Sequence, residues 1–330
     1  MNKEKNVVPI VFAFGNDWIL PACVCLSSLL QNAKPTTFYD IFILHSPDEE
    51  LEKDDLEKLE RAYSNFRIQY RAVERVFEKS YEIRGIKTMA YYRLLIPELI
   101  PEYDVILYSD VDVIFRSDLY EVYALTDLTN CYVAGVDSLS HFDTDVKKYY
   151  EKNLGVSSEG IIYSGNLIIN SRKIRDERIV NRFKEHARKE YRFQDMDILN
   201  LVCKGHVKFV DPMFCVTTYF VDYALYRRKD LNAFWSDKII DYALQYGIVH
   251  YNGQKPWKGY CVNFDIWWEY YRKSPIFDEK FYFDFFYNRL NEYDLLPLWK
   301  RIKILIRYFV YGRKTVQYVK SFCHSSNLQS

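Results

Sequence analysis

The amino-acid sequence predicts an α/β fold in which helices cover both faces of a mainly parallel central sheet. Apolar runs of strand length alternate with segments of helical spacing along the first two thirds of the chain, and this alternation is typical of parallel sheets. No internal repeat, low-complexity tract or Gly/Ser linker interrupts the 330 residues. We therefore expect one large domain over residues 1–274 and a C-terminal extension over residues 275–330.

The first elements are bounded by clear signals. An apolar strand at 7–14 ends at a Gly-Asn-Asp turn, and a helix with apolar spacing follows at 21–30. A strand at 39–44 comes next, followed by a charged helix over 47–65 whose first turn is acidic. Alternating hydrophobicity then predicts a strand at 66–72.

The middle of the chain continues the alternation. A helix at 88–99 ends near Pro101, and an apolar strand at 104–108 follows. Ligands of such sheets bind at the carboxyl ends of strands, so the residues after 108 are candidates for a site. Beyond residue 210 the pattern is irregular. We also expect strands at 131–136, 161–170 and 206–209 and helices at 174–189 and 196–204.

Composition argues against several classes of protein. Lys plus Arg equals Asp plus Glu, 45 of each, so the overall charge gives no reason to expect a nucleic-acid partner. The seven cysteines include no Cys-x-x-Cys motif, which argues against a disulfide framework or a zinc site and suits a reducing compartment. No apolar run reaches the roughly 20 residues of a membrane span. Asn16 and Asp17 interrupt an apolar start that imitates a signal peptide.

Two carboxylates two residues apart, Asp110 and Asp112, stand directly after the strand at 104–108. Both can direct oxygens at one divalent cation, because hard cations prefer oxygen ligands and a strand end can hold them fixed. An Asp-x-Asp without further context is more often a surface turn. Other residues must therefore decide between the two interpretations.

A second cluster lies in the segment His250-Tyr251-Asn252-Gly253-Gln254-Lys255-Pro256-Trp257. His250 could join the carboxylates on a cation, Gly253 lets a ligand approach the backbone, and Lys255 could neutralise phosphate oxygens. The alternative makes His250 a buried core histidine and Lys255 a solvated charge. The first interpretation predicts a site that holds a diphosphate.

A third cluster places Asp195 and Asp197 before an apolar helical stretch. Asp195 could simply cap that helix, since aspartate accepts hydrogen bonds from first-turn amides. Asp197 lies inside the helix and has less reason to be acidic. Both remain candidate site residues.

Six segments in this order resemble glycosyltransferase family 8. The Asp-x-Asp and the His-x-x-Gly-x-Lys-Pro-Trp pair are the most specific of them, and the resemblance spans roughly residues 7–257. The segments are Ile10-Val11-Phe12-Ala13, Ala90-Tyr91-Tyr92-Arg93-Leu94-Leu95-Ile96-Pro97-Glu98-Leu99, Tyr108-Ser109-Asp110-Val111-Asp112, Ser164-Gly165-Asn166-Leu167-Ile168-Ile169-Asn170, Asp195-Met196-Asp197-Ile198-Leu199-Asn200 and His250-Tyr251-Asn252-Gly253-Gln254-Lys255-Pro256-Trp257.

The resemblance implies a GT-A, Rossmann-like fold, a UDP-galactose or UDP-glucose donor, and transfer that retains anomeric configuration. It implies Mn²⁺ as cofactor, with Mg²⁺ as a substitute. Asp110, Asp112 and His250 would hold the metal, and Asp110 would thereby also contact the donor. Gly253 and Lys255 would bind the diphosphate. A metal on the diphosphate would stabilise the charge that builds on departing UDP.

The resemblance also implies contacts to the rest of the donor. Ala13, Asp17 and Trp18 would lie near uridine, although many members have two acids in this loop where the chain has Gly-Asn-Asp. Arg93 and Asp137 would meet the donor sugar and the ribose side. The chain departs from the family pattern at the expected uracil contact.

The catalytic residues implied are Asp195, which would accept hydrogen bonds from sugar hydroxyls, and Asp197. Met196 stands where members commonly have Gln beside the anomeric carbon, and Tyr163 stands where Asn often precedes Ser-Gly. A thioether cannot donate a hydrogen bond and accepts only weakly. An amide nucleophile at 196 is thus excluded, which leaves same-face substitution assisted by the leaving phosphate, or a nucleophilic Asp197.

The tail has its own pattern. Residues 299–320 contain seven Lys or Arg and no Asp or Glu, interleaved with aliphatic and aromatic residues. This composition predicts an interfacial helix on anionic lipid. A basic helix docked on the main domain is the alternative, and RNA binding is weaker because no nucleic-acid motif accompanies the charge.

We expect a retaining hexosyltransferase at the inner face of the cytoplasmic membrane, with a glycan acceptor that is lipid-linked, such as a lipopolysaccharide precursor. A protein-linked glycan acceptor is an alternative. A metal-dependent phosphohydrolase could also use Asp-x-Asp, but the chain offers no placed nucleophile for it. A glycan-binding scaffold would have lost the metal ligands, which are present here.

Overall fold

The computed structural model describes residues 5–77 and 88–311. The described chain forms two compact units that divide between His250 and Tyr251. The last part of the predicted basic tail, residues 312–320, lies outside the described residues. Each unit is described by itself below.

The first unit is built on a seven-stranded sheet with the order β3-β2-β1-β4-β7-β6-β8. A three-stranded sheet with the order β5-β10-β9 accompanies it. The strands are β1 (Asn6–Ala13), β2 (Thr37–His45), β3 (Phe66–Ala72), β4 (Val105–Ser109), β5 (Val113–Ile114), β6 (Val133–Gly135), β7 (Asn166–Asn170), β8 (Val207–Phe209), β9 (Val216–Thr217) and β10 (Val249–His250).

The large sheet is mainly parallel, as the sequence predicts. Strand β1 pairs in parallel with β2 and β4, β2 with β3, and β6 with β8. Strand β7 runs antiparallel to both of its neighbours, β4 and β6. The predicted α/β class is confirmed, with this one reversed strand in the sheet.

The small sheet has a direct consequence for the site. In β10, His250 is paired with Val113 of antiparallel β5 and with Thr217 of parallel β9. Strand β5 begins one residue after Asp112. The pairing therefore brings His250 beside the Asp-x-Asp loop.

Helices connect the strands of the first unit. The interior face of the first helix is wholly apolar or small, and its buried residues include Cys23 and Cys25. Both cysteines pack in the interior, as expected for residues that serve packing. The helices are α1 (Ile19–Gln31), α2 (Asp54–Ala62), α3 (Ile96–Leu99), α4 (Tyr120–Leu125), α5 (Thr144–Lys148), α6 (Ser171–Asp176), α7 (Ile179–His186), α8 (Asp195–Val202), α9 (Thr218–Tyr226), α10 (Arg228–Leu231) and α11 (Asp237–Tyr246).

The element boundaries differ from the sequence-based expectation most clearly in four places. The charged helix expected over 47–65 is confined to α2, Asp54–Ala62. The helix expected at 88–99 is a 3-10 helix over Thr88–Leu95 before α3 begins. The helix expected at 174–189 divides into α6 and α7 because Arg178 adopts a left-handed conformation with φ 55°. The strand expected at 161–170 begins only at Asn166, and Ile162 makes an isolated bridge to Asp137.

The second unit is helical in its described part. It contains α12 (Phe264–Lys273), α13 (Glu279–Leu295) and α14 (Leu298–Tyr311). Trp267, Trp268 and Tyr271 are buried, and the ring of Trp268 lies 4.5 Å from that of Phe285. The predicted C-terminal helical extension is therefore present. Among the described helices, none is both long and apolar enough to span a bilayer.

One buried carboxylate ties the edge of the large sheet together. Asp40 on β2 accepts hydrogen bonds from Arg67 Nε at 2.6 Å, Gln69 Nε2 at 2.9 Å and Tyr103 Oη at 2.6 Å. Burial by itself would raise the pKa of Asp40, but the hydrogen bonds from Arg67, Tyr103 and Gln69 outweigh it and lower that pKa.

Asp40→Asn should destabilise the fold by about 1–3 kcal/mol at pH 7, because it removes the charged acceptor of a buried network. Since the pKa of Asp40 is lowered on folding, its stabilisation is fully present above the unfolded pKa of about 3.9 and is lost as the pH falls through the folded pKa. In thermal melts, the Tm gap between the two proteins should therefore be constant from pH 7 to about pH 5 and begin to narrow as the pH falls below about 4. Asp145→Asn, an exposed aspartate outside the network, serves as control, and a Tm gap for Asp40→Asn that does not narrow would contradict this role.

Candidate metal centre

The loop between β4 and β5 carries Asp110 and Asp112. The backbone N–H of Asp110 donates to the carbonyl of Gly165 at 2.8 Å, which fixes the start of the loop. Its Oδ1 accepts hydrogen bonds from Arg93 Nη2 at 2.9 Å and from Tyr108 Oη at 2.7 Å. These two donors engage Oδ1, and the other oxygen, Oδ2, lies 3.6 Å from His250 Nε2.

His250 completes the cluster. Its Nε2 lies 3.0 Å from Oδ1 of Asp112, and the imidazole is buried. Burial by itself would lower the pKa of His250, but the carboxylate of Asp112 and the contact with Cys215 raise it to about 10. The metal-free histidine thus carries a proton that pairs with the carboxylates.

One ligand atom from each of Asp110, Asp112 and His250 lies within 4.8 Å of the other two. Two carboxylates and an imidazole form a donor set that suits Mn²⁺ or Mg²⁺, with further positions left for ligand oxygens. A cation would replace the Nε2 proton as the partner of both carboxylates. The residues present therefore fit a divalent cation.

Gly165 makes room for the imidazole. A Cβ atom at this position would lie 2.3 Å from Cε1 of His250 and 2.6 Å from Cε1 of Tyr163. The half-buried Tyr163 ring meets the His250 ring edge to face, with centroids 5.2 Å apart. A side chain at 165 would have to displace one of these two rings.

A buried ion pair lies beside the cluster. Arg93 Nε is 3.3 Å from Asp195 Oδ2, while Nη1 donates to the carbonyl of Ser164 at 2.6 Å. The guanidinium also stacks on the Tyr108 ring, 4.4 Å from its centroid. Burial raises the pKa of Asp195, although Arg93 opposes the shift. Asp195 thus begins α8 as a buried carboxylate next to a fixed positive charge.

Met196 and Asp197, the two residues after Asp195, have other neighbours than Arg93. Asp197 Oδ2 accepts hydrogen bonds from Tyr149 Oη at 2.7 Å and from the Phe193 N–H at 2.9 Å. Burial raises the pKa of Asp197 above its ordinary value, although these hydrogen bonds oppose the shift. Met196 packs against a small apolar cluster that contains Tyr150 and Ile161.

The residues expected near the nucleotide and sugar lie at strand ends and loops. Ala13 ends β1, and Asp17 and Trp18 belong to the 3-10 turn that follows it. Asp137 accepts a hydrogen bond from the Leu139 N–H at 2.7 Å and lies 3.7 Å from His141 Nδ1. Burial raises the pKa of Asp137.

Gly253 and Lys255 belong to the second unit, a few residues beyond His250 in the chain. Lys255 Nζ donates to the carbonyl of Tyr251 at 2.5 Å. The first unit thus brings together Asp110, Asp112, His250, Arg93 and Asp195, while these two residues are described only within their own unit.

Two contacts of the site were missed by sequence reasoning. Tyr108 Oη orients Asp110, but in the sequence Tyr108 is simply the last residue of an apolar run. Cys215 Sγ lies 3.5 Å from Nδ1 of His250, and nothing in its sequence neighbourhood distinguishes it from the other cysteines. Burial raises the pKa of the Cys215 thiol despite His250, which lowers it.

Comparison with known proteins identifies relatives of this chain. The family model for glycosyl transferase family 8 matches residues 9–261. A protein of Haemophilus influenzae named "Putative glycosyltransferase" is 30% identical over 235 residues, which cover 69% of this chain and 68% of the relative.

Two solved structures show a similar fold. The galactosyltransferase LgtC, solved with donor and acceptor sugar analogs, matches with a TM-score of 0.66 and 23% identity, covering 83% of this chain and 98% of LgtC. The bifunctional glycosyltransferase WbbM matches with a TM-score of 0.67 and 21% identity over 84% of this chain. This chain spans about half of WbbM, 51% of its length.

Gly165→Ala should weaken Mn²⁺ binding by on the order of 10-fold or more, because the new methyl group must displace His250 or Tyr163. Titration of the purified protein with Mn²⁺, followed by the electron paramagnetic resonance of the free ion, measures this affinity. Gly259→Ala is the matched control, since its added Cβ would meet Arg289 Nη1 only at an ordinary 3.6 Å. Equal affinity of Gly165→Ala and the unchanged protein would remove Gly165 from the support of the centre.

Proposed function

Because the chain belongs to glycosyl transferase family 8, we propose that this glycosyltransferase moves a hexose, galactose or glucose, from UDP to a glycan acceptor with retention of configuration. The observation that carries the proposal is the close approach of Asp110, Asp112 and His250, although His250 lies 138 residues after Asp112 in the sequence. An Asp-x-Asp in a surface turn would not have a buried histidine aimed at it.

In the proposed mechanism, a divalent cation held by Asp110, Asp112 and His250 would neutralise charge on the donor diphosphate and stabilise departing UDP. The residues of this chain hold and orient the reactants. Asp110, Asp112 and His250 would hold the cation, and Gly253 and Lys255 would bind the diphosphate. Ala13, Asp17, Trp18 and Asp137 would line the nucleoside and sugar ends of the donor.

Arg93 and Asp195 form the polar wall that we assign to the donor sugar. Their positions are fixed before substrate binds, because Arg93 donates hydrogen bonds to Asp110 and the Ser164 carbonyl and also forms an ion pair with Asp195. Preorganised charge of this kind requires little rearrangement during the reaction. Asp195 would accept hydrogen bonds from sugar hydroxyls.

Met196 and Asp197 bear on how configuration is retained. The thioether of Met196 packs on an apolar cluster and cannot serve as a nucleophile that replaces an amide. Asp197 already accepts hydrogen bonds from Tyr149 and Phe193. We therefore propose same-face substitution assisted by the leaving phosphate, with Asp197 as a residue that positions the start of α8.

We further propose that residues 1–274 form the catalytic domain and residues 275–330 an extension that attaches to anionic lipid at the inner face of the cytoplasmic membrane. On α14, Leu298, Trp299, Ile302, Leu305 and Ile306 are exposed, which is unusual for large apolar residues. Basic residues at 300, 301 and 303 lie among them. Apolar and basic side chains on one helix suit an anionic bilayer surface.

A membrane-bound enzyme would meet a lipid-linked saccharide, such as a lipopolysaccharide precursor, as its acceptor. A protein-linked glycan is the second candidate acceptor.

A metal-dependent phosphohydrolase is the rival function, and it would act on simple phosphate esters without an acceptor. Its nucleophile would have to be a carboxylate of the centre, and those carboxylates already face His250 or Arg93. A panel of UDP-sugars with Mn²⁺ tests the proposal, and no UDP release from any of them, with or without glycan acceptors, would refute it.

Asp112→Asn should abolish Mn²⁺-dependent UDP binding while leaving the fold intact, because the amide removes one of two anionic ligands. Isothermal titration of UDP with and without Mn²⁺ measures the effect. Asp127→Asn is the control, since Asp127 is exposed and only closes its own turn through Thr129. Unchanged binding in Asp112→Asn would take this residue out of the centre.

Replacing Lys300, Arg301 and Lys303 by Gln in the full chain should weaken binding to phosphatidylglycerol vesicles by roughly 100-fold. Each basic residue near an anionic surface contributes about 1 kcal/mol, and about 1.4 kcal/mol is a factor of ten. Co-sedimentation measures the partition. The same change at the exposed Lys147, Lys148 and Lys152 of the first unit is the control, and equal loss in both triple variants would show a general charge effect instead.

A further inference from the structure

The imidazole of His250 has a different neighbour at each nitrogen. Nε2 faces the carboxylates, 3.0 Å from Asp112 Oδ1 and 3.6 Å from Asp110 Oδ2. Nδ1, on the other side of the ring, lies 3.5 Å from the sulfur of Cys215. Cys215 is 2% exposed. The thiol is therefore part of the surroundings of the metal centre rather than a solvent-facing group.

The position of Cys215 is fixed by the backbone on both sides of it. The N–H of Val216 donates to the carbonyl of Ile248 at 2.7 Å, within the small sheet that carries His250. The carbonyl of Phe214 accepts a hydrogen bond from the buried amide of Asn166 at 2.8 Å. The sulfur and the imidazole therefore sit on one rigid framework.

We propose that Cys215 is a positioning residue whose sulfur accepts a hydrogen bond from Nδ1–H of His250. It would thereby keep Nε2 directed at Asp110 and Asp112 when a divalent cation displaces the Nε2 proton. A neutral imidazole carries one proton, on either Nδ1 or Nε2. With the proton on Nδ1 and donated to Cys215 Sγ, the Nε2 lone pair points at the space shared with Asp110 and Asp112. Histidine ligands commonly donate their other N–H in this way, usually to an oxygen.

The packing contacts of the ring do not select this orientation, whereas the polar contacts at its two nitrogens do. Tyr163 and Gly165 limit the tilt of the imidazole by packing against it. Packing does not distinguish the ring from its flipped orientation, because a half-turn exchanges nitrogen for carbon positions of nearly the same size. The contact at Nδ1 does distinguish them, since a flipped ring would present a C–H group to the sulfur.

The inference rests on the proposed cation site, and it is tested by metal affinity in the full chain. Cys215→Ala and Cys215→Val, the second of which keeps the volume filled, should each weaken Mn²⁺ binding about 10-fold in the presence of UDP. Cys215→Ser should recover part of the loss, because a hydroxyl also accepts a hydrogen bond. Free Mn²⁺ is followed by electron paramagnetic resonance.

Cys203→Ala is the matched control. Cys203 is fully buried in the main core, so its removal should lower Tm without changing the Mn²⁺ affinity. Wild-type affinity in both Cys215→Ala and Cys215→Val would overturn the inference, and so would a serine variant no better than alanine. Absence of Mn²⁺ binding by the unchanged protein would instead refute the proposed function.

A measurement on the unchanged protein keeps the inference testable if the variants fail to fold. Long-range proton–nitrogen correlation spectra of the imidazoles report which nitrogen is protonated, and His250→Gln identifies the signal of His250. With UDP and Mg²⁺ bound, we expect the proton on Nδ1. A proton on Nε2 under the same conditions would overturn the assignment.

Discussion

The antiparallel pairing of β10 with β5 is the constraint on which the candidate site depends. His250 is opposite Val113 in this pairing, and the Asp-x-Asp loop ends immediately before that residue. Strands β5 and β10 have only two residues each, and β9 extends this small sheet by pairing with the other edge of β10. The backbone hydrogen bonds of a very small sheet thereby determine whether the carboxylates and the imidazole meet.

Electrostatics explains why the cluster tolerates burial. Asp112 and Asp195 are buried carboxylates, and each has a positive partner, His250 and Arg93 respectively. Arg93 also pairs with Asp110, so one guanidinium links the Asp-x-Asp loop to the start of α8. Removing a partner would leave a buried charge unpaired, which is more costly than losing the pair as a whole.

Met196 and the adjacent Asp195 face different surroundings at the start of α8. The Met196 side chain joins an apolar cluster, whereas Asp195 faces Arg93. Consecutive helical residues point about 100° apart, so the first turn of α8 can present a carboxylate to the site and a thioether to the packing. Under the proposed mechanism, stabilisation of the leaving group then carries more of the catalysis.

The sequence by itself determined the α/β class, the longer strands and helices to residue 210, and the family, because hydrophobic periodicity and short motifs are local properties. The short elements β5, α4 and α5 were not among the predicted ones. The sequence also singled out Asp110, Asp112 and His250 by residue type and order. Only the tertiary structure decided that β7 is reversed, that α6 and α7 separate at Arg178, and that Tyr108 and Cys215 contact the candidate metal ligands. The reversal of β7 and the contact of Cys215 with His250 depend on pairing between segments far apart in sequence, which no local pattern encodes. The break at Arg178 and the hydrogen bond from Tyr108 to Asp110 are local, but they depend on backbone and side-chain orientations that residue type alone does not specify.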